Sequence, residues 1–325
     1  MDPLPNHMKL KKPKACEFCG SSGPMSDEHL WGKWMVESNF IPVSGLKSYI
    51  VLATAGDSPF GGEPAYSLRR QSGPPTSRRH PVVCRDCNSG RMSQLEEQVK
   101  PFLGPMMQGI ETRLDERAQK LLARWIDKTI MIYEFESPDA MTTSPWQREQ
   151  FVERDAPSEP THVFIGRYSG VFDYPQILHS SGKVSDIPGT EILRRGTDIA
   201  TVGQVLFYVT RATDPLLQFD DYPATALTDH LKQIWPIRDQ TVSWPPSKSI
   251  NRIQHYWLEG WKNVDAMSEH PNYPVEFQKT KISPRLWAEL RDEDNITTEQ
   301  IGDHAPIEPG WDALRKTTHR RTGQD

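Results

Sequence analysis

All four cysteines of the chain lie in two CxxC pairs, "CEFC" at 16–19 and "CRDC" at 84–87. Tetrahedral zinc binds thiolates offered in such pairs, and cytosolic thiols stay reduced, so metal is favoured over disulfides. The spacing therefore predicts one structural Zn²⁺ site with the following ligands: Cys16, Cys19, Cys84 and Cys87. A redox-active CxxC and four unrelated buried thiols are the alternatives, and the second is disfavoured because the pairs use every cysteine.

The bulk composition is that of a globular protein. The 325 residues leave room for two ordinary domains, and 36% are hydrophobic, with 10 Trp, 11 Phe and 9 Tyr. No stretch approaches the roughly 20 continuous apolar residues that span a membrane, and "MDPLPNHMKLKKPK" lacks the apolar core of a signal peptide. We expect a soluble, cytoplasmic protein with no membrane partner.

The charge is unevenly distributed along the chain. The net charge is -5, yet residues 1–101 carry 13 Lys and Arg against 10 Asp and Glu, and the remainder carries 25 against 33. Residues 69–91 contain Asp86 as their one acid and six arginines, namely Arg69, Arg70, Arg78, Arg79, Arg85 and Arg91. Such a cluster could hold the phosphates of a nucleic acid even on an acidic protein, because the local field decides the encounter. A solvated arginine-rich face is the alternative.

The pattern along the chain predicts an α+β protein. We expect a basic arm at 1–13, a zinc module at 14–104 with a long insertion at about 41–80, and a loose tail at 301–325. Residues 105–300 would form a helix followed by a separate mixed α/β domain with a mainly antiparallel sheet.

Apolar periodicity predicts a helix after Cys87 that stops near Pro101, and a longer helix from about Ile110 to Ile130. Runs rich in branched and aromatic residues predict strands in "KTIMIYEFE", "THVFIGRYSGVF" and "TVGQVLFYVTRA". Between the first two, "ESPDAMTTSPWQREQFVERDAPSEP" is expected to be a loosely packed linker. A last helix is predicted in "SPRLWAELRDE", with Ser283 as its N-cap.

The chemistry-bearing residues follow the first cysteine pair, in "SDEHLWGKWM". On a strand the adjacent side chains of Glu28 and His29 point to opposite faces, which indicates separate roles. A carboxylate can hold a hard divalent ion, and a neutral imidazole can accept a proton from water. Asn88 directly follows Cys87 at the start of a helix and could bring a second oxygen to that ion.

The motifs "CEFCG", "DEHLWGKWM" and "VVCRDCNSGRMSQLEE" together resemble the HNH endonuclease family in its form with a four-cysteine zinc site. That family has a treble-clef-like ββα-metal core, in which an acid and a histidine end the first strand and "CxxCN" opens the helix. The resemblance implies that His29 is the general base, that Glu28 and Asn88 bind a catalytic Mg²⁺ or Mn²⁺, and that the cysteines hold zinc. It covers about residues 14–100, with Glu28 where Asp is commoner and Gly32 where Pro often stands.

The chain departs from the family at one position. Many members carry an Asn in the second strand, a few residues before the second CxxC, that orients the catalytic histidine. In "RRHPVVC" that place is taken by Arg79 or His80. We expect main-chain groups to fix the imidazole here instead.

The resemblance implies metal-assisted hydrolysis of phosphodiester bonds in DNA, with RNA as an alternative, by nicking or by cutting. Bacterial or phage defence, or mobile-element biology, fits the family. Cutting both strands needs a homodimer or two successive events, and the second region could recruit a partner protein. A non-catalytic zinc-stabilised nucleic-acid-binding module is the main alternative, and a scaffold built around the second region is another.

Overall fold

The computed structural model describes residues 13–37, 48–55, 65–72, 77–136, 138–169, 175–185, 193–215 and 227–250. They belong to one compact unit, Met1–Glu259. The α-helices of the described residues are α1 Trp34–Glu37, α2 Ser93–Met107, α3 Glu116–Tyr133 and α4 Pro145–Glu153. None of the described helices is long and apolar enough to cross a membrane.

The strands of the described residues are β1 Met25–His29, β2 Ser48–Ala55, β3 Ala65–Ser72, β4 Arg79–Cys84, β5 Thr112–Asp115, β6 Thr161–Arg167, β7 Gln176–Ser185, β8 Leu193–Val202, β9 Val205–Ala212, β10 Leu231–Trp235 and β11 Thr241–Trp244. Five of them form an antiparallel sheet in the order β10-β6-β9-β8-β7, and the other pairs are β1-β4, β2-β3 and β5-β11. The protein is therefore α+β with antiparallel sheets, as predicted.

The predicted zinc module is built on the antiparallel pair β1-β4. In this pair Met25 lies opposite Cys84, and His29 lies opposite Arg79. A π-helical segment, Cys87–Met92, follows β4 and leads into α2. The β2-β3 pair belongs to the predicted insertion at 41–80.

Helix α3 packs between this module and the five-stranded sheet. The ring of Trp125 lies 6.3 Å from that of Trp31, which follows β1, and 5.8 Å from that of Phe207 in β9. A second contact joins Phe18, between the first two cysteines, to Phe151 of α4 at 5.9 Å. The described parts of the two regions predicted as separate domains thus share one hydrophobic core.

The predicted strand "KTIMIYEFE" is wrong, because Lys128–Tyr133 continues α3 and Glu134–Glu136 forms a 3-10 turn. Helix α3 starts at Glu116 rather than near Ile110. Asp115 caps its N-terminus, because the Asp115 side chain accepts a hydrogen bond from Ala118 N at 2.8 Å. Its C-terminal half is buried all round, so the apolar residues there show no helical period and look like a buried strand.

The end of the preceding helix was also predicted wrongly. Helix α2 runs through Pro101 and Pro105 and ends at Met107. Each proline removes a helical hydrogen bond, at a cost of roughly 3 kcal/mol in a helix interior. Burial of one face offsets that cost, and its buried residues include Leu95, Val99, Leu103, Met106 and Met107.

The segment expected to be a loose linker contains α4, which is held by a capping box. Ser144 Oγ accepts a hydrogen bond from Gln147 N, and the Gln147 side chain accepts one from Ser144 N at 2.8 Å. Pro145 occupies the first helical turn. The buried Phe151 then anchors the helix, so the segment is packed rather than loose.

The strand predictions in "THVFIGRYSGVF" and "TVGQVLFYVTRA" are confirmed by β6 and β9. Gly203, in the left-handed region at φ +55°, makes the turn between β8 and β9. The predicted helix at Ser283, the tail at 301–325 and most of the arm at 1–13 lie outside the described residues.

A buried ionic network joins α3 to the sheet. Arg211 of β9 lies 3.2 Å from Asp127 of α3 and 3.5 Å from Asp198 of β8, measured from nitrogen to carboxylate oxygen. His179 Nδ1 lies 2.6 Å from Asp198 Oδ1, and its Nε2 lies 2.8 Å from the carbonyl oxygen of Ala140. Burial alone would lower the pKa of His179, but the Asp198 carboxylate outweighs it and raises the pKa to about 9.

We predict that His179 contributes stability that depends on pH. Its folded-state pKa of about 9 lies above its usual 6.5, so the contribution is full below pH 6.5 and is lost as the pH rises through 9. His179→Gln should therefore destabilise the protein by roughly 3 kcal/mol at pH 6, and by much less at pH 9.5. Urea unfolding of both proteins at matched zinc measures the difference, and a difference independent of pH would contradict the assignment.

Candidate zinc centre and adjacent catalytic residues

The four cysteine sulfurs lie together, with every pair within 4.8 Å. Cys19 Sγ and Cys84 Sγ are 3.6 Å apart, and all four cysteines are free thiols. A tetrahedral zinc with Zn–S bonds of about 2.3 Å places its sulfurs about 3.8 Å apart. The donor set and its spacing therefore fit zinc, as the sequence predicted.

Main-chain hydrogen bonds shape the loop that presents the first cysteine pair. Gly20 N donates to Cys16 O at 2.9 Å, and Gly20 has a φ of +69° that favours glycine. Glu17 N donates to Val82 O at 3.0 Å, which fastens this loop to β4, the strand that ends in the second pair. Cys87 N donates a hydrogen bond to Cys84 Sγ at 3.4 Å, which holds the two residues of the second pair in place.

The crowded sulfurs have strongly opposed proton affinities. A hydrogen bond from Cys87 lowers the pKa of Cys16 to about 4, and the same contact raises the pKa of Cys87. Four thiolates at this separation repel one another unless a cation lies between them.

Asn88 connects the zinc cluster to β1. Its Nδ2 donates to Ser26 Oγ at 3.0 Å and to the carbonyl oxygen of Asp27 at 3.1 Å. Since Asn88 directly follows Cys87, a member of the cysteine cluster, these contacts place the start of the helix beside the strand that carries Glu28 and His29. The arrangement brings together segments about 60 residues apart in the sequence.

His29 ends β1 and is partly exposed. Burial lowers its pKa most, and the positive charges of Arg79 and Lys33 lower it further. The imidazole is therefore neutral at pH 7 and can accept a proton. Arg79 lies opposite His29 in the β1-β4 pair, so it is Arg79 that faces the histidine across the strands.

Glu28 lies on the other face of β1, as expected for adjacent strand residues, and only 4% of it is exposed. Its Oε1 accepts a hydrogen bond from Lys128 Nζ at 2.9 Å, and the same ammonium donates to Glu96 Oε1 at 3.1 Å. Burial raises the pKa of Glu28, and the charge of Lys128 opposes the rise. Burial would lower the pKa of Lys128, but the two carboxylates outweigh it and raise it.

The sequence interpretation missed Lys128. Its signal was a lysine inside the apolar run "WIDKTIMIY", where a fully buried ammonium requires an acidic partner. Nothing in the sequence near Lys128 identified that partner, because Glu28 lies 100 residues away.

His80 takes part in a different contact. It lies opposite Glu28 in the strand pair, is buried, and places Nε2 3.0 Å from Glu136 Oε1. Arg78 Nη2 lies 2.8 Å from the same carboxylate oxygen. Burial would raise the pKa of Glu136, but hydrogen bonds from His80 and Arg78 outweigh it and lower the pKa to about 2.

The structure separates the six arginines of the predicted phosphate-binding cluster. Arg79, Arg85 and Arg91 are exposed, whereas Arg78 is turned inward to Glu136. Arg91 also donates to the carbonyl oxygen of Val152 at 2.5 Å. The remaining two lie in β3 at positions opposite Val51 and Ile50, namely Arg69 and Arg70.

No protein-family profile, curated protein or solved structure matches this chain. Among the described residues, the cysteine cluster is the group of three or more His, Cys, Asp or Glu side chains that lie close enough together to hold a metal ion.

We predict about one zinc per chain, held by the four thiolates. Cys84→Ser should lose the zinc and, because the module shares its core with α3 and the sheet, should destabilise the compact unit as a whole. Elemental analysis and thermal unfolding measure both effects. The control is Arg85→Ala, which alters the exposed residue beside Cys84 and should keep both zinc and stability. A Cys84→Ser protein that retains stoichiometric zinc would contradict the site.

Proposed function

We propose that the protein is a metal-dependent, HNH-type endonuclease that hydrolyses phosphodiester bonds in DNA. The observation that supports this proposal best is the pair of Asn88 hydrogen bonds to Ser26 and Asp27, which join the cysteine-anchored helix to the strand of Glu28 and His29. A purely structural zinc knuckle accounts for Asn88 and Glu28 through these contacts, but it gives no role to the neutral, partly exposed imidazole of His29 beside them.

The residues proposed for the divalent ion fit it chemically. Glu28 and Asn88 offer carboxylate and amide oxygens, the hard donors that Mg²⁺ and Mn²⁺ prefer. The Glu28 carboxylate is paired with the Lys128 ammonium, so a divalent ion would have to share this carboxylate with the lysine or displace it. When bound, such an ion would neutralise the phosphate and the leaving oxygen.

His29 supplies the proton acceptor in this proposal. Its neutral, partly exposed imidazole would remove a proton from the water that attacks phosphorus. The exposed Arg79, Arg85 and Arg91 would contact the neighbouring phosphates without reading bases.

A second candidate is a non-catalytic nucleic-acid-binding module. The Glu28–Lys128 ion pair favours it, because a carboxylate that is buried and paired with lysine can serve folding alone. The two candidates share the zinc site and the arginines, so binding does not separate them. Cleavage does.

We predict that His29→Ala lowers the rate of plasmid cleavage by about 10² to 10⁴, the range of a lost general base. Because the metal-ligand cluster consists of the four cysteines and the arginines are unchanged, zinc content and DNA affinity should stay near those of the wild type. The matched control is His162→Ala, on β6, which should cleave at the wild-type rate. Undiminished cleavage by His29→Ala would rule out the assigned base.

A second prediction concerns the arginines. Replacing Arg79 and Arg85 with alanine should weaken DNA binding similarly for all sequences and reduce the slope of log affinity against log salt by about 2, since each phosphate contact contributes about 0.9. Arg154→Ala removes an arginine that is also exposed, outside the zinc module, and should leave the slope unchanged. Fluorescence anisotropy at several salt concentrations measures the slopes. Equal slopes for all three proteins would count against this phosphate-binding surface.

A further inference from the structure

The cluster of Lys128, Glu28 and Glu96 lies at the junction of three elements. Lys128 belongs to α3, Glu28 to β1 and Glu96 to α2. The lysine side chain is 0% exposed, and the side chains of Glu28 and Glu96 are 6% and 17% exposed. A residue from outside the HNH-like segment thus reaches the carboxylate that the proposed function assigns to the divalent ion.

Lys128 can form an ion pair with either of two carboxylates, Glu28 or Glu96. Its Nζ lies 2.9 Å from Glu28 Oε1 and 3.1 Å from Glu96 Oε1, so neither contact is clearly preferred. If Glu28 turned to another cation, Lys128 would retain Glu96 and would not be left as an unpaired buried charge. The high cost of breaking a buried ion pair is thereby reduced.

The charges of this cluster decide whether Lys128 favours or opposes the binding of a divalent ion. Two carboxylates and one ammonium leave the cluster with a net charge of -1, which a divalent ion would change to +1. Without Lys128 the same carboxylates carry -2, which a divalent ion would neutralise. Charges at such separations in a poorly solvated site interact strongly, so the lysine must oppose the binding of a second cation.

We propose that Lys128 is an internal competitor of the divalent ion, an ammonium that holds Glu28 in a closed arrangement from which metal binding has to release it. This inference rests on the proposed function in that it concerns the same ion. It gives the region after residue 104 a direct part in the site, through α3. Filling the ion site should accordingly require a higher Mn²⁺ concentration in the wild-type protein than in a variant that lacks the Lys128 ammonium.

The test is Mn²⁺ binding to the full, zinc-loaded chain without nucleic acid, measured from the electron paramagnetic resonance signal of free Mn²⁺. Lys128→Met removes the charge and keeps the length of the side chain. We expect its Kd for Mn²⁺ to be at least about tenfold lower than that of the wild type. An equal or higher Kd would overturn the proposal, because it would assign Lys128 a supporting role.

Two further variants locate the effect. Glu28→Gln in the Lys128→Met background should abolish the gain in Mn²⁺ affinity, and persistence of the gain would show that the ion binds elsewhere and overturn the proposal. Lys120→Met removes a partly exposed lysine from the same helix, where it pairs with Asp155, and should leave Mn²⁺ affinity unchanged.

Lys128→Met leaves one buried and one partly buried carboxylate without their cation, so a second background is included in case this variant fails to fold. The double variant Lys128→Met, Glu96→Gln retains one uncompensated carboxylate and should fold more readily. Compared with Glu96→Gln alone, it should bind Mn²⁺ at least about tenfold more tightly, and Mn²⁺ should raise its Tm more. Equal affinity in this pair would overturn the proposal.

Cleavage assays on the same proteins distinguish this inference from the proposed function. Tighter Mn²⁺ binding by Lys128→Met with no cleavage of DNA by any protein would support the competition and reject the nuclease. Cleavage by the wild type with unchanged Mn²⁺ binding by Lys128→Met would support the nuclease and reject the competition.

Discussion

The structure depends on a constraint imposed by α3, a helix covered on most sides that must pair its buried polar groups with other elements. Asp127 reaches Arg211 and the main chain of Ser158, with Ser158 N 2.8 Å from Asp127 Oδ2. Lys128, the next residue, points to β1 and α2. Adjacent side chains of one helix thus bind the sheet on one side and the zinc module on the other.

The same constraint extends to the C-terminal end of the helix. Glu134 accepts hydrogen bonds from Thr142 N at 2.9 Å and from Thr143 N at 3.2 Å, which fixes the segment before α4. That segment in turn places α4 against the loop of the first cysteine pair, where Arg148 Nε donates to Glu17 O at 3.1 Å. A buried donor or acceptor left without a partner costs about 1–3 kcal/mol, and a charged one costs more, so these contacts favour the observed arrangement of the parts.

The cysteine cluster of the candidate site could be predicted from the sequence, because its signal is local. CxxC spacing reports on metal ligands, and the alternation of a strand placed Glu28 and His29 on opposite faces. Lys128 could not be found as a partner of Glu28, since no local pattern connects residues 100 positions apart. The run "KTIMIYEFE" was misassigned for a related reason: a helix buried on all sides loses the apolar period by which helices are identified.

Phosphodiester hydrolysis is the function that we propose for the cysteine-anchored segments. Incubation of the wild-type protein with supercoiled plasmid, with Mg²⁺ or Mn²⁺ added or omitted and the zinc retained, tests it most directly. We expect nicked or linear DNA that accumulates with time only when one of these ions is added. DNA that is bound but stays supercoiled with every metal would contradict the proposed nuclease activity and favour the binding module.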